Sequence, residues 1–166
     1  MPGSVLSKRV RIADPTQSIA ARGVTIADRP SADPRQCWLE TFRSVRAETE
    51  RRAALLSPED QVVQSMPDAS PTKWHRAHVT WFFEQFLLKP YVKNYTPFDE
   101  RFAYLYNSYY VSAGPRAARP QRGLVTRPSA AEIAAYRAHV DAAVSDLIET
   151  ASDFDQIVPI IEIGLN

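Results

Sequence analysis

Between Ser70 and Pro90, the residues Trp74, Ala77, His78, Trp81, Phe82, Gln85 and Leu88 recur at i, i+3, i+4 and i+7 spacing. This pattern predicts one long helix with a broad aromatic face. Aromatic surface of that extent is stable only when other elements cover it, so this segment already demands a partner layer. Ser70-Pro71 supplies the start signal. Pro90 lacks an amide hydrogen and disfavours helical geometry at the residue before it, so the helix is expected to end or kink near Leu88.

The same reasoning finds the partners. Asp33-Pro34 has the cap-then-proline form, and Cys37, Trp38, Phe42 and Val45 follow at helical spacing, which predicts a first helix running to about Arg52. Ser129 with Glu132 forms a capping box, and Ile133, Tyr136, Val140, Ala143, Val144 and Leu147 continue it as a stripe to Thr150. Ser152 or Asp153 can cap a fourth segment with apolar Phe154, Ile157, Val158, Ile161 and Leu165, whose pattern is still running at Asn166. Ser57-Pro58-Glu59-Asp60 predicts a short helix or turn. Residues 91–128 carry Phe98, Phe102, Tyr104, Tyr106, Tyr109 and Tyr110 and then Gly114-Pro115, Pro120 and Gly123, which reads as a long connection, partly helical over 101–111, that packs on the bundle or lines a site. The expectation is an all-α bundle of four helices. Its fourth helix is incomplete, and a long aromatic, Arg/Pro-rich connection joins the second helix to the third. The domain spans residues 31–166, and residues 1–30, with no aromatic side chain, are expected to form a flexible tail. A fourth helix cut short would leave part of the 74–88 and 133–147 faces uncovered.

Charge narrows the function classes. Twenty Lys and Arg against nineteen Asp and Glu leave a formal charge of +1, so no whole-molecule field draws the chain to nucleic acid or to a membrane. No apolar run approaches the roughly 20 residues that span a bilayer, the single Cys37 excludes an intramolecular disulfide, and the N-terminus lacks a secretory apolar core. A cytoplasmic protein is expected, with neither nucleic acid nor membrane as a partner.

Three histidines are present. His75 and His78 stand three residues apart on one helix, within about 60 degrees of each other, so both could meet one metal, although a lone His on an apolar face is more often a core residue. His139 sits at the margin of its helix stripe and reads as a boundary side chain. No CxxC, HExxH, P-loop or nucleophile elbow occurs, so no catalytic residue is assigned. Arg116, Arg119, Arg122 and Arg127 lie in PRAARPQRGLVTRP with no acidic residue among them. Guanidinium groups grip carboxylate or phosphate bidentately, so this loop is either an anion receptor or a solvated basic loop. With Tyr109 and Tyr110 nearby, stacking on single-stranded nucleic acid is a weaker third option.

The stretches SPEDQVVQSMPDASPTKWHRAHVTWFFEQFLL, YLYNSYY, RPQRGLVTRPS and AYRAHVDAAV, in this order, closely resemble the N-terminal DinB-like domain of the ergothioneine-biosynthesis sulfoxide synthases. The resemblance runs from about Ser57 to Asn166 and implies a DinB-like four-helix bundle. Enzymes of that family use a non-haem iron and oxygen to join cysteine or gamma-glutamylcysteine to hercynine as a sulfoxide. In the family, one iron ligand comes from a Trp-x-x-x-His stretch, which maps onto Trp74 and His78 rather than His75. Two more come from a later His-x-x-x-His helix, expected just after a stretch similar to IIEIGLN, where this sequence stops. The resemblance therefore implies His78 as a metal ligand and iron(II) as the family cofactor, not bound tightly by this chain alone. It also implies a C-terminal domain or subunit like the sulfatase-modifying factors as partner, with Arg119 and Arg122 as the residues that hold the thiol substrate's carboxylate. The isolated chain is then expected to be inactive. The alternative is a non-enzymatic DinB-like helical interaction module.

Overall fold

The computed structural model describes residues 33–166, and the tail expected over residues 1–30 lies outside the described residues. Every regular element among the described residues is helical, as the periodicity predicts. Helix α1 spans Pro34–Ala53, with the Asp33 carboxylate accepting from the amide of Arg35 at 3.0 Å and Pro34 in the first turn. Ser57 and Asp60 bond reciprocally, the amide of Asp60 to Oγ at 3.1 Å and the amide of Ser57 to Oδ2 at 3.2 Å, and open a single 3-10 turn at Asp60–Val62.

Helix α2 begins at Thr72–Phe83 and passes through a π-helical turn, Glu84–Leu88, into a last turn, Lys89–Tyr91. Of the two expected outcomes near Leu88, an end or a kink, the helix does not end there: its regular register breaks at the π-helical turn and the chain accommodates Pro90 by widening the turn before it. Proline removes one i→i−4 bond and its ring crowds the carbonyl four residues back, and a π-helical register relieves that crowding without breaking the helix. Helix α3 spans Ala130–Thr150 and opens with the full capping box: Oγ of Ser129 accepts from the amide of Glu132 at 3.2 Å, and the Glu132 carboxylate accepts from the amide of Ser129 at 2.7 Å. Helix α4 spans Phe154–Leu165, with Asp153 at its start but making no side-chain cap bond.

Helix α2 packs most extensively on α3, α1 also packs on α3, and α4 closes over α1 and α2. The faces expected to lie partly bare are covered: Trp74, Trp81, Phe83, Leu87, Ile133 and Val140 are all buried. Two coverings explain it. Gly164 of α4 lies so close to the rings of Phe82 and Phe83 that a Cβ there would stand 2.6 Å from Cζ of Phe83. The connection also folds back over α2, where the indole nitrogens of Trp74 and Trp81 donate to the carbonyls of Leu105 (2.9 Å) and Ala103 (3.1 Å) around a helical turn at Phe102–Leu105. Buried Glu84, at the widened turn, accepts from the Tyr95 hydroxyl (3.0 Å), the amide of Phe98 (3.2 Å) and the Tyr136 hydroxyl (2.7 Å), tying the connection to α2 and α3.

A charged layer crosses the helices on the other side. Buried Arg46 of α1 donates to Asp141 at 2.7 Å, and buried Arg76 of α2 and Arg137 of α3 both pair with Glu50, each at 2.5 Å. The Thr80 hydroxyl accepts from Arg46 (2.7 Å) and Arg137 (3.2 Å), so the three helices share one network. No helix among the described residues is long and apolar enough to cross a membrane.

Candidate functional site

The first turns of α2 carry Trp74, His75 and His78, and the structure gives the two histidines different surroundings. Nδ1 of His78 lies 2.8 Å from the carbonyl oxygen of Tyr106. A carbonyl only accepts, so Nδ1 carries the proton and Nε2 is left with the lone pair that a metal or a proton donor would meet. The half-buried ring is fixed in plane by stacking on Trp74 (centroids 4.9 Å apart, 16° between planes) and Trp81 (5.5 Å, 23°), with Tyr110 tilted against it at 6.3 Å. Burial pushes the imidazole pKa below its ordinary value. The Tyr106 carbonyl opposes that shift, and the positive charge of Arg122 adds to it. His75 is exposed and lines a groove of about 570 Å³ between α1 and α2 with Glu48, Arg52 and Val79. His139 is exposed beside the rings of Tyr95 and Phe98.

Of the four loop arginines, the structure singles out one. Arg122 is 3% exposed, whereas Arg116, Arg119 and Arg127 are exposed. Its guanidinium carbon lies 3.5 Å from the centre of the Trp74 ring, and Nη1 donates to Oγ of Ser70 at 2.8 Å. Its Nε is buried and has no partner among the described residues. Burial, then the charges of Arg119 and Arg116, pull its pKa from 12.5 down to about 10. The contrast with Arg46, Arg76 and Arg137 is direct: those three buried guanidiniums pair with Asp141 or Glu50, whereas Arg122 has no carboxylate partner among the described residues. Burying a cation without a counter-charge is costly, and an anion placed beside it would offset that cost.

The indole of Trp74 therefore serves both groups, stacking on the His78 imidazole and on the Arg122 guanidinium. The strand of connection that holds His78 also carries two buried oxygens with no hydrogen-bond partner, the hydroxyls of Tyr106 and Ser108. Arg116 reaches back to the carbonyl of Ser108 at 3.1 Å, and Arg119 stands near enough to lower the pKa of Arg122. No group of three or more His, Cys, Asp or Glu side chains able to hold a metal ion occurs among the described residues. His78, with its tautomer set and its ring clamped, suits one ligand position, and these residues do not make a complete metal centre.

The resemblance names Arg119 and Arg122 together as the carboxylate pair, and the structure places Arg119 at the surface and Arg122 in a buried position. Missed altogether were the Tyr106 carbonyl, which any residue could supply, and Gln64, whose carboxamide grips the arginine loop from 55 residues away. Residues 41–163 match the family model of the DinB superfamily, and the chain belongs to that superfamily. No curated protein matches the chain.

Proposed function

We propose that this member of the DinB superfamily is the helical part of a non-haem iron sulfoxide synthase of the ergothioneine-forming type. In that reading it supplies His78 as one imidazole ligand and Arg122, with Arg119 at the rim, as receptor for the carboxylate of a cysteine or gamma-glutamylcysteine substrate. One observation carries the reading: an imidazole with Nε2 left free by the Tyr106 carbonyl and a buried guanidinium lacking a carboxylate partner stack on the same indole, Trp74. The segment-by-segment resemblance to the synthases supports the finer assignment.

Iron, when bound, supplies the oxidative chemistry that joins thiol, hercynine and oxygen. The chain's own contribution is positional. Trp74 and Trp81 hold the imidazole plane and exclude water from its faces, Tyr106 keeps the proton on Nδ1, and Arg122 neutralises a substrate carboxylate beside that ring. One imidazole does not hold iron(II) at the affinity of three converging ligands, so the remaining ligands are proposed to come from a domain or subunit resembling the sulfatase-modifying factors.

The test is anaerobic iron(II) titration of the chain alone and mixed with such a polypeptide, followed by admission of oxygen and measurement of hercynine and thiol consumption. Turnover is expected in the mixture and not with His78→Ala. Absence of turnover in the mixture, or turnover that survives His78→Ala, overturns the proposal. A second reading, an interaction module using only the Arg122 receptor, draws support from Trp74 and Ser70, which hold the guanidinium without help from His78.

A further inference from the structure

The arginine loop is a 3-10 segment, Arg119–Leu124, whose i→i+3 hydrogen bonds have poorer geometry than those of an α-helix and hold its side chains less firmly. A receptor built on such a segment binds weakly unless something outside the segment orders it, because ordering at the moment of binding is subtracted from the affinity. The ordering group is visible. Nε2 of Gln64 donates to the carbonyl of Arg119 at 2.8 Å, and the amide of Gly123 donates to Oε1 of the same side chain at 2.6 Å. Both ends of one carboxamide are thus spent on the two sides of Arg122. Residue 123 is glycine for the same reason, since a Cβ there would lie 2.8 Å from Cβ of Gln64. Beyond the loop, the ammonium of buried Lys73 donates to the carbonyls of Val125 (2.9 Å) and Thr126 (3.0 Å), so the chain is pinned again just after Leu124.

We infer that Gln64 is a positioning residue, whose carboxamide bridge across Arg119 and Gly123 holds the Arg122 guanidinium on Trp74 in the orientation that captures an anion. The inference rests on the reading of Arg122 as a carboxylate receptor. It adds a residue, on a loop before α2, that touches neither substrate nor metal. Gln64 is half-buried and contributes nothing to the apolar core, so its removal leaves the helices intact while loosening the receptor.

The experiment uses the full chain and Gln64→Met, which keeps length and volume but can neither donate to Arg119 nor accept from Gly123. Two readouts are taken. The first is the Nε–H resonance of Arg122 in nitrogen-15 spectra, assigned by its loss in Arg122→Lys, together with its rate of hydrogen exchange. The second is the calorimetric affinity for gamma-glutamylcysteine. In Gln64→Met the resonance is expected to move toward the position of solvated arginines and to exchange faster, and affinity is expected to fall roughly tenfold. Gly164→Ala, which perturbs packing far along the chain, is the control and leaves the Arg122 resonance in place. A resonance and an affinity both within twofold of the parent in Gln64→Met overturn the inference, as does a control that shifts the resonance equally. If Gln64→Met fails to fold, Gln64→Glu, which still accepts from Gly123 but cannot donate to Arg119, carries the same two readouts. A parent chain that binds no gamma-glutamylcysteine refutes the receptor reading instead, and the resonance comparison still decides whether Gln64 positions Arg122.

Discussion

Replacing Arg122 with Met separates a residue kept for binding from one kept for the fold. In the native chain burial, and then the charges of Arg119 and Arg116, disfavour the charged guanidinium and draw its pKa from 12.5 to about 10. At about 1.36 kcal/mol per unit this is roughly 3 kcal/mol, which a discount for solvent screening brings to roughly 1.5 kcal/mol. The orphaned Nε adds about 1 kcal/mol of unmet hydrogen bonding. Against these costs stand the bond to Ser70, worth about 1.5 kcal/mol, and the stack on Trp74, worth about 1 kcal/mol. Methionine removes all four and recovers part of the stack through its sulfur. The expected change in unfolding free energy is within about 1 kcal/mol of zero, a Tm shift of no more than roughly 4 °C for a domain of this size. Over the same substitution, binding of a carboxylate ligand should fall by roughly a hundredfold, the loss of one buried charged partner. Differential scanning calorimetry and titration calorimetry on the same preparation measure both. A loss of more than about 2 kcal/mol would show Arg122 to be a strut of the fold, and unchanged carboxylate affinity would refute the receptor argument outright.

Other substitutions probe the frame that holds the site. Glu50→Gln strips the carboxylate shared by buried Arg76 and Arg137 and should cost about 2–4 kcal/mol in urea unfolding, below the usual buried-pair value because the Glu50 side chain is 40% exposed; a change under about 0.5 kcal/mol would show the pair is solvated away. Gly164→Ala places a Cβ 2.6 Å from Cζ of Phe83 and 2.8 Å from Cε1 of Phe82, and should destabilise by about 1–3 kcal/mol; a Tm equal to that of the parent would mean the last turn of α4 does not press on those rings. Glu132 has its pKa lowered below 4.5 first by the amide of Ser129 and then by its hydroxyl, so the folded chain binds this proton less tightly than the unfolded one. The capping box therefore stabilises above pH 4.5 and is lost as pH falls through the lowered value; Glu132→Gln should flatten the Tm–pH curve below pH 4.5, as seen by circular dichroism, and a curve parallel to the parent's would count against it.

What the sequence discloses follows the range of each interaction. The capping box at Ser129, the proline-led start of α1 and the aromatic face of α2 each depend on residues within a few positions of one another, so spacing alone reveals them. Pro90 marks the irregular turn before it but not an end, because its local preference for ending a helix is weaker than the burial of Leu87 and Leu88, which draws the helix on through a widened turn. The charged layer joins Arg46 to Asp141 across 95 residues and Arg76 to Glu50 across 26, and nothing in helical periodicity distinguishes those side chains from solvated ones. Spacing and charge likewise leave the four loop arginines equivalent, and the resemblance narrows them only to Arg119 and Arg122. Burial of Arg122 is decided by Ser70, 52 residues earlier, and by the ring of Trp74, so only the folded chain separates it from Arg119.

That choice bears on the two functional readings. If the chain were a module that merely bound an anionic partner, the Arg122 receptor would suffice, and nothing would require the neighbouring imidazole to be held in a single tautomer. Yet the Tyr106 carbonyl, the Trp74 and Trp81 rings and the approach of Tyr110 all constrain His78, at the cost of leaving the buried Tyr106 hydroxyl without a partner. Such pre-organisation costs stability and is expected where a ring nitrogen must meet a specific atom. The two readings therefore diverge on one double-mutant cycle. In an interaction module, His78→Ala and Arg122→Met act on partner affinity through Arg122 alone. In a synthase domain, each abolishes turnover with the completing polypeptide, while His78→Ala leaves the calorimetric affinity for the thiol's carboxylate within severalfold of the parent.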